Sequence, residues 1–442
     1  MNYSHLYQKY YLYQTSLLVE LSESLSFLRH DSILSNIENG ANQDCIYLDF
    51  SKAFDVVDWG ILCHRMREKG IKGNMGLWLF NFLQDRTQEV LVNNELSSIS
   101  KVTSGVPQGT VLGPLMFLIL IDSLGDTEMD AIITAFADDS KITLPVNDTE
   151  QAAKLQENME LIYNWESNNN MKFNISKFNV IKFGRNADMK EEYNYFGPQT
   201  DEIMIDNDEV RDLGVIITPD CNYKSHISKV ISKMNQRVGY ILRTFKNRNL
   251  DFMKWAWKVY IQPISDYCSQ LWGPSYGPEL KRIENTLKSY SSKIIGIKHL
   301  NYWDRLKAMK LYSMGRRIER YRILYIYKIL TGQVQNCGIN WSNTINSGTI
   351  ITEISTQEYF QSQRENSFHF TAPRLFNRLP RSLRDDRAST LDEWKMKLDK
   401  LLSKIPDKPI VPDLTPGLCD YSSKPTNSLY FWLPHLELNT RR

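Results

Sequence analysis

The chain has 442 residues, enough for roughly two to four domains, and 42% of them are hydrophobic, which excludes disorder throughout. Lysine and arginine number 53 against 51 aspartate and glutamate, so any nucleic-acid surface must be a local patch and not a global excess of charge. The six cysteines form no C-x-x-C pair and no zinc-type cluster with histidine, which favours a reducing, intracellular compartment.

The N-terminus and the apolar segments bear on targeting. The first residues, MNYSHLYQKYYLYQ, lack the basic start and apolar core of a signal peptide. The longest apolar stretch, around 115–121, is far shorter than the roughly 20 residues that a membrane span needs. We therefore expect a soluble protein of the cytoplasm or nucleus, with no membrane partner.

The hydrophobic pattern of the first half predicts interleaved strands and helices. In chain order these are a strand at 45–50, helices at 52–67 and 76–85, two strands within 88–103, a helix at 112–124, strands at 132–137 and 141–144, a helix at 149–168 and a strand pair within 171–184. Asn93-Asn94 marks a turn, and SGVPQGTVLGP (104–114) is a glycine-rich loop. The elements show no regular βαβ repeat, so the predicted fold class is α+β.

The second half reads differently. Residues 185–208 are polar and rich in turn residues, which predicts a domain boundary. Helices are predicted beyond it at 223–247, 250–262, 278–297 and 313–331. Residues 405–442 contain six prolines and few periodic apolar positions, which predicts a loosely ordered tail.

Three carboxylates carry the chemistry of the sequence. Asp49 ends an apolar strand, where an ionised group needs a partner or a cation. Asp138 and Asp139 follow the apolar run IITAFA, and strand alternation lets only one of them share a metal site directly with Asp49. We assign that role to Asp138, the first residue after the strand, with Asp139 auxiliary. Oxygen ligands without histidine or cysteine suit Mg²⁺ or Mn²⁺, and two such ions could serve phosphoryl transfer.

Neither motif is specific when it stands alone. A single aspartate at a strand end is more often a helix cap or a turn residue, and an Asp-Asp pair in a hairpin is more often part of a solvated turn. The order of the motifs is more informative. The chain contains YLDFSKAFD (47–55), SGVPQGTVLGPL (104–115), AFADD (135–139) and MKFNISKFNVIKFG (171–184) in succession.

In these four motifs the chain closely resembles the reverse transcriptases of Jockey-like, LINE-type non-LTR retrotransposons, over roughly residues 31 to 400. The resemblance implies an RNA-directed DNA polymerase with two Mg²⁺ ions (Mn²⁺ possible), an RNA template, a DNA primer and dNTP substrates. It also implies a right-hand palm, an antiparallel sheet backed by helices, followed by a helical thumb and a helical C-terminal region. The predicted domains are 1–40 (fingers remnant), 41–190 (palm), 205–262 (thumb-like), 263–404 (C-terminal helical region) and 405–442 (tail).

The resemblance further implies roles for single residues. Asp49, Asp138 and Asp139 match the catalytic carboxylates, and the backbone carbonyl of Phe50 would help to hold a metal. Phe54 matches the bulky residue that excludes a 2′-hydroxyl and so favours dNTPs. The residues that match the loop contacting the template base and the nascent pair are Ser104, Gly105, Pro107, Gln108 and Gly109. Lys177 matches a lysine that could protonate the pyrophosphate leaving group.

Simpler interpretations of these residues remain open: helix-face packing for Phe54, a plain strand-to-helix turn for the glycine-rich loop, and a solvated strand position for Lys177. Downstream, an apolar stripe at helical spacing predicts a packed helix, formed by Ile227, Val230, Ile231, Met234, Val238, Ile241 and Leu242. Lys229, Lys233 and Arg237 fall on another face, where they could contact a phosphate backbone or be merely solvated.

Further along, an arginine cluster with aromatic neighbours is compatible with RNA contact: Arg316, Arg317, Arg320 and Arg322. About 48 residues precede Asp49, and they show no glycine-arginine loop of the kind that the family uses to grip the triphosphate. The rival hypothesis is therefore a truncated, transposon-derived protein that at most binds nucleic acid. A splicing factor resembling group II intron maturases is a third interpretation, which the sequence supports less.

Overall fold

The structure is a computed structural model, and it describes residues 33–34, 36–37, 40–184, 193–197, 203–275, 277–336, 339–346, 349–354, 367–407 and 429. The predictions for residues 1–32, for most of the 185–208 segment and for most of the tail lie outside the described residues. The chain divides into two compact units, one formed mainly by residues 35–210 and the other mainly by residues 211–442. Within the described ranges, no helix is both long and apolar enough to cross a membrane.

The first unit mixes strands and helices. Its elements are β1 (Gln43–Leu48), α1 (Trp59–Glu68), α2 (Gly73–Leu83), β2 (Thr87–Gln88), β3 (Leu91–Val92), β4 (Glu95–Leu96), β5 (Ser100–Lys101), α3 (Leu112–Ile121), β6 (Ile132–Phe136), β7 (Asp139–Pro145), α4 (Thr149–Asn168) and β8 (Asn179–Phe183). Four strands form an antiparallel sheet in the order β6-β7-β1-β8. The α+β class predicted from the sequence is confirmed for this unit.

Helices cover the sheet and form the core with it. Leu155, Met159 and Ile162 of α4 are fully buried at helical spacing, and they share one cluster with Ile46 of β1 and Phe117 of α3. The Asp148 carboxylate caps α4 by accepting a hydrogen bond from the Gln151 backbone N–H. Because β1 lies between two other strands, it is buried over most of its length, as its apolar sequence requires.

Several predictions for this unit are confirmed. The helix at 149–168 has the predicted bounds. The hairpin around Asp138-Asp139 is present, because Phe136 pairs with Asp139 across a two-residue turn. The turn at Asn93-Asn94 is also present, with both residues at positive φ (50° and 66°), as a tight hairpin turn between β3 and β4 requires.

Two predictions for this unit are wrong. The helix predicted from Lys52 begins only at Trp59, because the carbonyls of Phe54 and Val57 accept hydrogen bonds from Val106 and Gly105. A helix starting at Lys52 would need those carbonyls for its own bonds. The strand pair predicted within 171–184 is a single strand, β8, preceded by a 3-10 turn at Ile175–Lys177.

The second unit is mainly helical, as predicted. Its elements are β9 (Val210–Asp212), β10 (Val215–Ile217), α5 (Lys224–Thr244), α6 (Leu250–Ala256), a π-helical segment (Trp257–Ile261), α7 (Gln262–Asp266), α8 (Ser269–Trp272), α9 (Pro278–Ser291), α10 (Tyr302–Met309), α11 (Met314–Leu330), β11 (Trp341–Asn346), β12 (Thr349–Ile354), α12 (Phe368–Asn377), α13 (Arg381–Arg384) and α14 (Leu391–Leu402). The predicted apolar stripe of α5 packs into a core shared with α6, α9 and α10. The two hairpins and helices α10, α12 and α14 were not predicted.

The arginine cluster of α11 contradicts its predicted role in RNA contact. Arg316 and Arg322 are 1% and 0% exposed. Arg317 pairs with Asp266, and the Arg320 guanidinium makes two hydrogen bonds to Asp399, at 2.6 and 2.8 Å. These four side chains are therefore buried or ion-paired within the second unit.

Candidate active site

The sheet brings the three carboxylates to one end. Strand β1 ends at Leu48, which pairs with Ser140 of β7, and Asp49 follows Leu48 in the sequence. In β7, Asp139 directly precedes Ser140, so the antiparallel register places Asp139 opposite Asp49. Asp138 lies in the turn between β6 and β7, beside Ala137, whose φ is +54°.

This geometry corrects the strand-alternation argument for Asp138. Strand β6 ends at Phe136, so Asp138 is the second residue of the turn and not the first residue after the strand. Alternation between sheet faces applies only inside a strand. It therefore does not fix the direction of the Asp138 side chain, and the metal role of Asp138 stays a prediction.

Lys177 joins this group of carboxylates. Its Nζ lies 2.9 Å from Oδ2 of Asp49, with 61% of the lysine side chain exposed and 23% of the aspartate side chain. The hydrogen bond to Asp49 raises the pKa of Lys177, and the charges of Asp138 and Asp139 raise it further. The backbone holds the pair together, because the Asn174 N–H donates to the Asp49 carbonyl at 2.8 Å.

The carboxylates at this end of the sheet have the oxygen ligands that a hard divalent cation prefers, but they do not form a closed group of three ligands. Among the described residues, no three carboxylate, histidine or cysteine side chains are grouped closely enough to hold one metal ion together. The Lys177 ammonium nevertheless lies where all three carboxylates act on it, so this end of the sheet already attracts a cation. Carboxylate oxygens without nitrogen or sulfur ligands suit Mg²⁺ or Mn²⁺.

Two phenylalanines, Phe50 and Phe54, follow Asp49 in the sequence. Phe50 is 3% exposed, and its ring stacks on Phe173 at 4.6 Å between centroids. The backbones of Phe50 and Phe173 also form an isolated antiparallel β-bridge. Its hydrogen bonds are made by the Ser51 N–H and the Asp49 carbonyl, so the Phe50 carbonyl takes no part in the bridge. Phe54 is half-buried and stacks on Phe117 of α3, with centroids 4.5 Å apart.

The glycine-rich loop docks on the turn that contains Phe54. The Ser104 hydroxyl donates to the Asp55 carbonyl, and the Gln108 amide donates to the Asp55 carboxylate, both at 2.8 Å. Gly105 has φ +82°, and a Cβ there would lie 2.7 Å from the Asp55 carbonyl oxygen. Only glycine fits such an approach.

The other loop residues are placed by contacts within the loop. The Pro107 carbonyl accepts a hydrogen bond from the Thr110 hydroxyl at 2.8 Å. A Cβ at Gly113 would lie 2.2 Å from the same carbonyl oxygen, so the start of α3 folds back closely on Pro107. Gly109 has φ +76° and open space around it.

Sequence reasoning missed three residues that hold this loop. Arg86 donates from Nη2 to the Gly105 carbonyl at 2.9 Å, and the Trp59 indole N–H donates to the same oxygen at 2.9 Å. Burial lowers the pKa of Arg86. Asp55 is the third, and it could have been found, since it closes the motif YLDFSKAFD. Nothing in the local sequence pattern marks Arg86 or Trp59.

The predicted phosphate-contacting residues lie in the second unit. Lys229, Lys233 and Arg237 are exposed on α5, whereas Val230 and Met234 of the same helix are buried. Their exposure agrees with either a contact surface or a solvated face.

Comparison with known proteins identifies the class. Residues 9–217 match the family described as reverse transcriptase (RNA-dependent DNA polymerase). This part of the chain, just under half of it, contains all three carboxylates and is similar to reverse transcriptase domains.

Relatives narrow the identification to one kind of element. The chain is 22% identical over 308 residues to the RNA-directed DNA polymerase from the mobile element jockey of Drosophila melanogaster, covering 67% of this chain and 33% of that protein. It is 23% identical over 276 residues to the probable RNA-directed DNA polymerase from transposon X-element of the same species, covering 60% and 30%. Both relatives are named as polymerases of mobile elements, and the chain spans about a third of their length.

Among solved structures, apo telomerase from Candida tropicalis aligns with 70% of this chain and 53% of its own, at 12% identity and a TM-score of 0.38.

Proposed function

We propose that the chain is an RNA-directed DNA polymerase that joins a dNTP to the 3′-hydroxyl of a DNA primer on an RNA template. The observation that carries the proposal is that Asp49, whose carboxylate lies 2.9 Å from Lys177, shares one end of the central sheet with Asp138 and Asp139. In this proposal residues 41–190 are the palm, 205–262 a thumb-like region and 263–404 a C-terminal helical region. The match to the reverse transcriptase family supports the proposal.

The carboxylates and the Phe50 carbonyl would hold the metal ions. When bound, two Mg²⁺ or Mn²⁺ ions would activate the primer hydroxyl and stabilise the leaving oxygen. Lys177 has a raised pKa, which keeps its ammonium protonated at neutral pH. It can therefore donate a proton from Nζ to the departing pyrophosphate, provided that it leaves Asp49 when the metal binds.

Selectivity would come from the turn and the loop that are docked together. The Phe54 ring is braced by Phe117, so it forms a firm wall for the exclusion of a 2′-hydroxyl. Gln108 is exposed, and its hydrogen bond to Asp55 uses one amide hydrogen, so the amide oxygen remains an acceptor toward the template strand. Ser104, Gly105, Pro107 and Gly109 would shape the surface against the nascent base pair. Lys229, Lys233 and Arg237 would contact the nucleic-acid backbone.

The test is primer extension by the full chain on a primed RNA template with dNTPs and Mg²⁺. Asp138→Ala should lower the rate more than about 100-fold, because even a residue that only supports a metal ligand can be worth 10–100-fold. Asp130→Ala, an exposed aspartate near the start of β6, is the matched control and should keep the rate. Equal extension by wild type and Asp138→Ala would remove Asp138 from the site, provided that both unfold at the same urea concentration.

A second candidate is a protein that binds nucleic acid without polymerising. It is favoured by the lack, among the described residues, of a closed group of three metal ligands. Wild-type protein that binds a primed RNA template but does not extend it with either Mg²⁺ or Mn²⁺ would support this candidate over the polymerase.

A further inference from the structure

Four aromatic side chains follow one another on the second unit and take no part in the proposed catalytic site. They are Phe245 at the end of α5, Phe252 and Trp255 in α6, and Tyr260 in the π-helical segment, and we call them the aromatic row. Successive ring centroids are 5.0, 6.0 and 5.5 Å apart. Phe245, Trp255 and Tyr260 are 40%, 49% and 50% exposed.

Phe252 packs against the core of the second unit, whereas Phe245, Trp255 and Tyr260 remain exposed. The opposite side of the same segment is buried through Met253, Ala256, Trp257 and Ile261, each at most 1% exposed. Trp257 is completely buried while Trp255, two residues earlier, is half exposed. Contiguous exposed apolar surface of this kind commonly marks a binding site in a protein that otherwise buries such groups.

The backbone at this point is also unusual. Residues Trp257–Ile261 form a π-helical segment between α6 and α7. π-helical turns are rare, and they occur frequently at functional sites, because the extra residue in the turn re-aims the side chains around it. Here Lys258, Val259 and Tyr260 are all exposed.

Positive charge accompanies the aromatic rings. Lys246, Lys254 and Lys258 lie on the segments that carry the row, and Asp251 is the acidic residue of the first turn of α6. Burial lowers the pKa of Lys258, and the nearby cations Lys254 and Arg317 lower it further. Lys258 therefore lies in a region of positive potential, which attracts a polyanion.

We propose that the aromatic row binds single-stranded RNA, with unpaired bases stacked on Trp255, Tyr260 and Phe245 and phosphates beside Lys254 and Lys258. Exposed aromatic rings combined with lysines form the usual surface for unpaired nucleotides, whereas the bases of a duplex are covered by their neighbours. The excess of lysine disfavours an uncharged protein partner. The choice of RNA rests on the proposed function, in which the template is RNA.

The test is fluorescence anisotropy of a labelled, unstructured 15-nucleotide RNA of mixed sequence with the full chain, without dNTPs. Trp255→Ala and Tyr260→Ala should each weaken binding about tenfold, the loss of one stacked base, and Trp255→Phe should largely retain it. Trp78→Ala is the matched control, because Trp78 is 52% exposed but lies on α2 of the first unit. Thermal unfolding of each variant shows whether its fold is intact.

Salt dependence tests the charged part of the surface. Lys258→Ala should lower the slope of log affinity against log salt by about 0.7, the loss of one phosphate contact on a single strand. Wild-type affinity in both alanine variants of the aromatic row would overturn the proposal and favour a protein-facing surface. Equal or tighter binding of the DNA oligonucleotide of the same sequence would overturn the assignment to RNA.

The failure of this inference can be told apart from the failure of the polymerase. If wild type binds through the row and extends no primer, the proposed function fails and the row stands. If wild type extends a primer and Trp255→Ala binds RNA as wild type does, the row fails alone.

Discussion

The two units use ionisable side chains in opposite ways. At the end of the sheet in the first unit, Asp49 and Lys177 stay partly exposed, and three carboxylates act on one ammonium. On α11 of the second unit, Arg316 and Arg322 are buried among backbone carbonyls, and Arg320 is held by Asp399. A run of charges in a sequence therefore says little about function until the burial of each charge is known.

This difference between the ionisable side chains of the two units can be measured through the free energy of unfolding. Removing a buried charge whose hydrogen bonds are all internal destabilises its unit, because the removal leaves buried partners unsatisfied. An exposed ion pair contributes little to stability, so its presence needs another reason. Substitution of a buried arginine in the second unit should therefore lower the free energy of unfolding most. Substitution of a buried carboxylate in the first unit should have an intermediate effect, and substitution of the exposed lysine of the ion pair the smallest.

Arg322→Met should have the largest effect on stability. The guanidinium donates to the Gln270 carbonyl at 3.1 Å, to the Gly273 carbonyl at 2.8 Å and to the Ser275 hydroxyl at 2.6 Å. Methionine leaves the buried carbonyls of Gln270 and Gly273 without this donor, at about 1–3 kcal/mol for each, so we expect a loss of about 3 kcal/mol. Urea unfolding measures it.

The control is Arg237→Met, an exposed arginine of α5, which should change the free energy of unfolding by less than about 0.5 kcal/mol. If Arg322→Met left unfolding unchanged and weakened RNA binding instead, the arginine cluster would be a contact surface after all.

Asp44→Asn should have an intermediate effect that depends on pH. Asp44 lies in β1, the strand that leads to Asp49, but is 0% exposed, and it accepts hydrogen bonds from the Tyr195 and Tyr193 hydroxyls at 2.6 and 2.8 Å. Burial raises the pKa of Asp44 from 3.8 to about 6. The folded state therefore binds this proton more tightly than the unfolded state.

The sign follows from that preference. The stability that protonated Asp44 contributes is complete below pH 3.8 and is lost as the pH rises through 6. Relative to Asp44→Asn, which stays neutral, wild type should lose on the order of 2 kcal/mol between pH 4 and pH 7. Urea unfolding of both proteins across this range measures the difference, and parallel pH profiles would show that Asp44 does not titrate in it.

Lys177→Met should have the smallest effect on stability, because its ion pair with Asp49 is exposed to solvent and screened by it. Primer extension should nevertheless slow, by about 100-fold or more, since the proposed proton donor is lost. Lys172→Met, an exposed lysine five residues earlier, is the control and should extend normally. A large loss of stability without a loss of rate would make Lys177 a structural residue, like those of α11.

Local patterns predicted the elements whose own residues decide them. The helix at 149–168 has its cap at Asp148 and its apolar spacing within 20 residues, and the hairpin around Asp138 has alternating strands on both sides of a tight turn. Elements that depend on distant partners were predicted wrongly. The carbonyl of Phe54 is taken by Val106, which no local pattern announces, and so the helix predicted from Lys52 starts late.

The candidate site was predicted in the same uneven way. The motifs indicated Asp49, Asp138, Asp139 and Lys177, and the structure brings these four residues to one end of the sheet. The arginines of α11 were assigned to RNA because a helix that is buried on most sides shows no polar face by which to recognise its interior charges. The aromatic row escaped notice because its exposure is decided by which side of α6 packs inward.

Gly105 has a mechanical consequence. The loop and the turn meet there with no room for a methyl group, and Ser104, Gly105, Val106 and Gln108 all bond to residues 54–57. Gln108 of the loop and Phe54 of the turn are thus rigidly connected. In the proposed enzyme, a shift of the template base that displaces Gln108 would be transmitted to the Phe54 ring, so a mispaired base would also loosen the discrimination between deoxyribose and ribose.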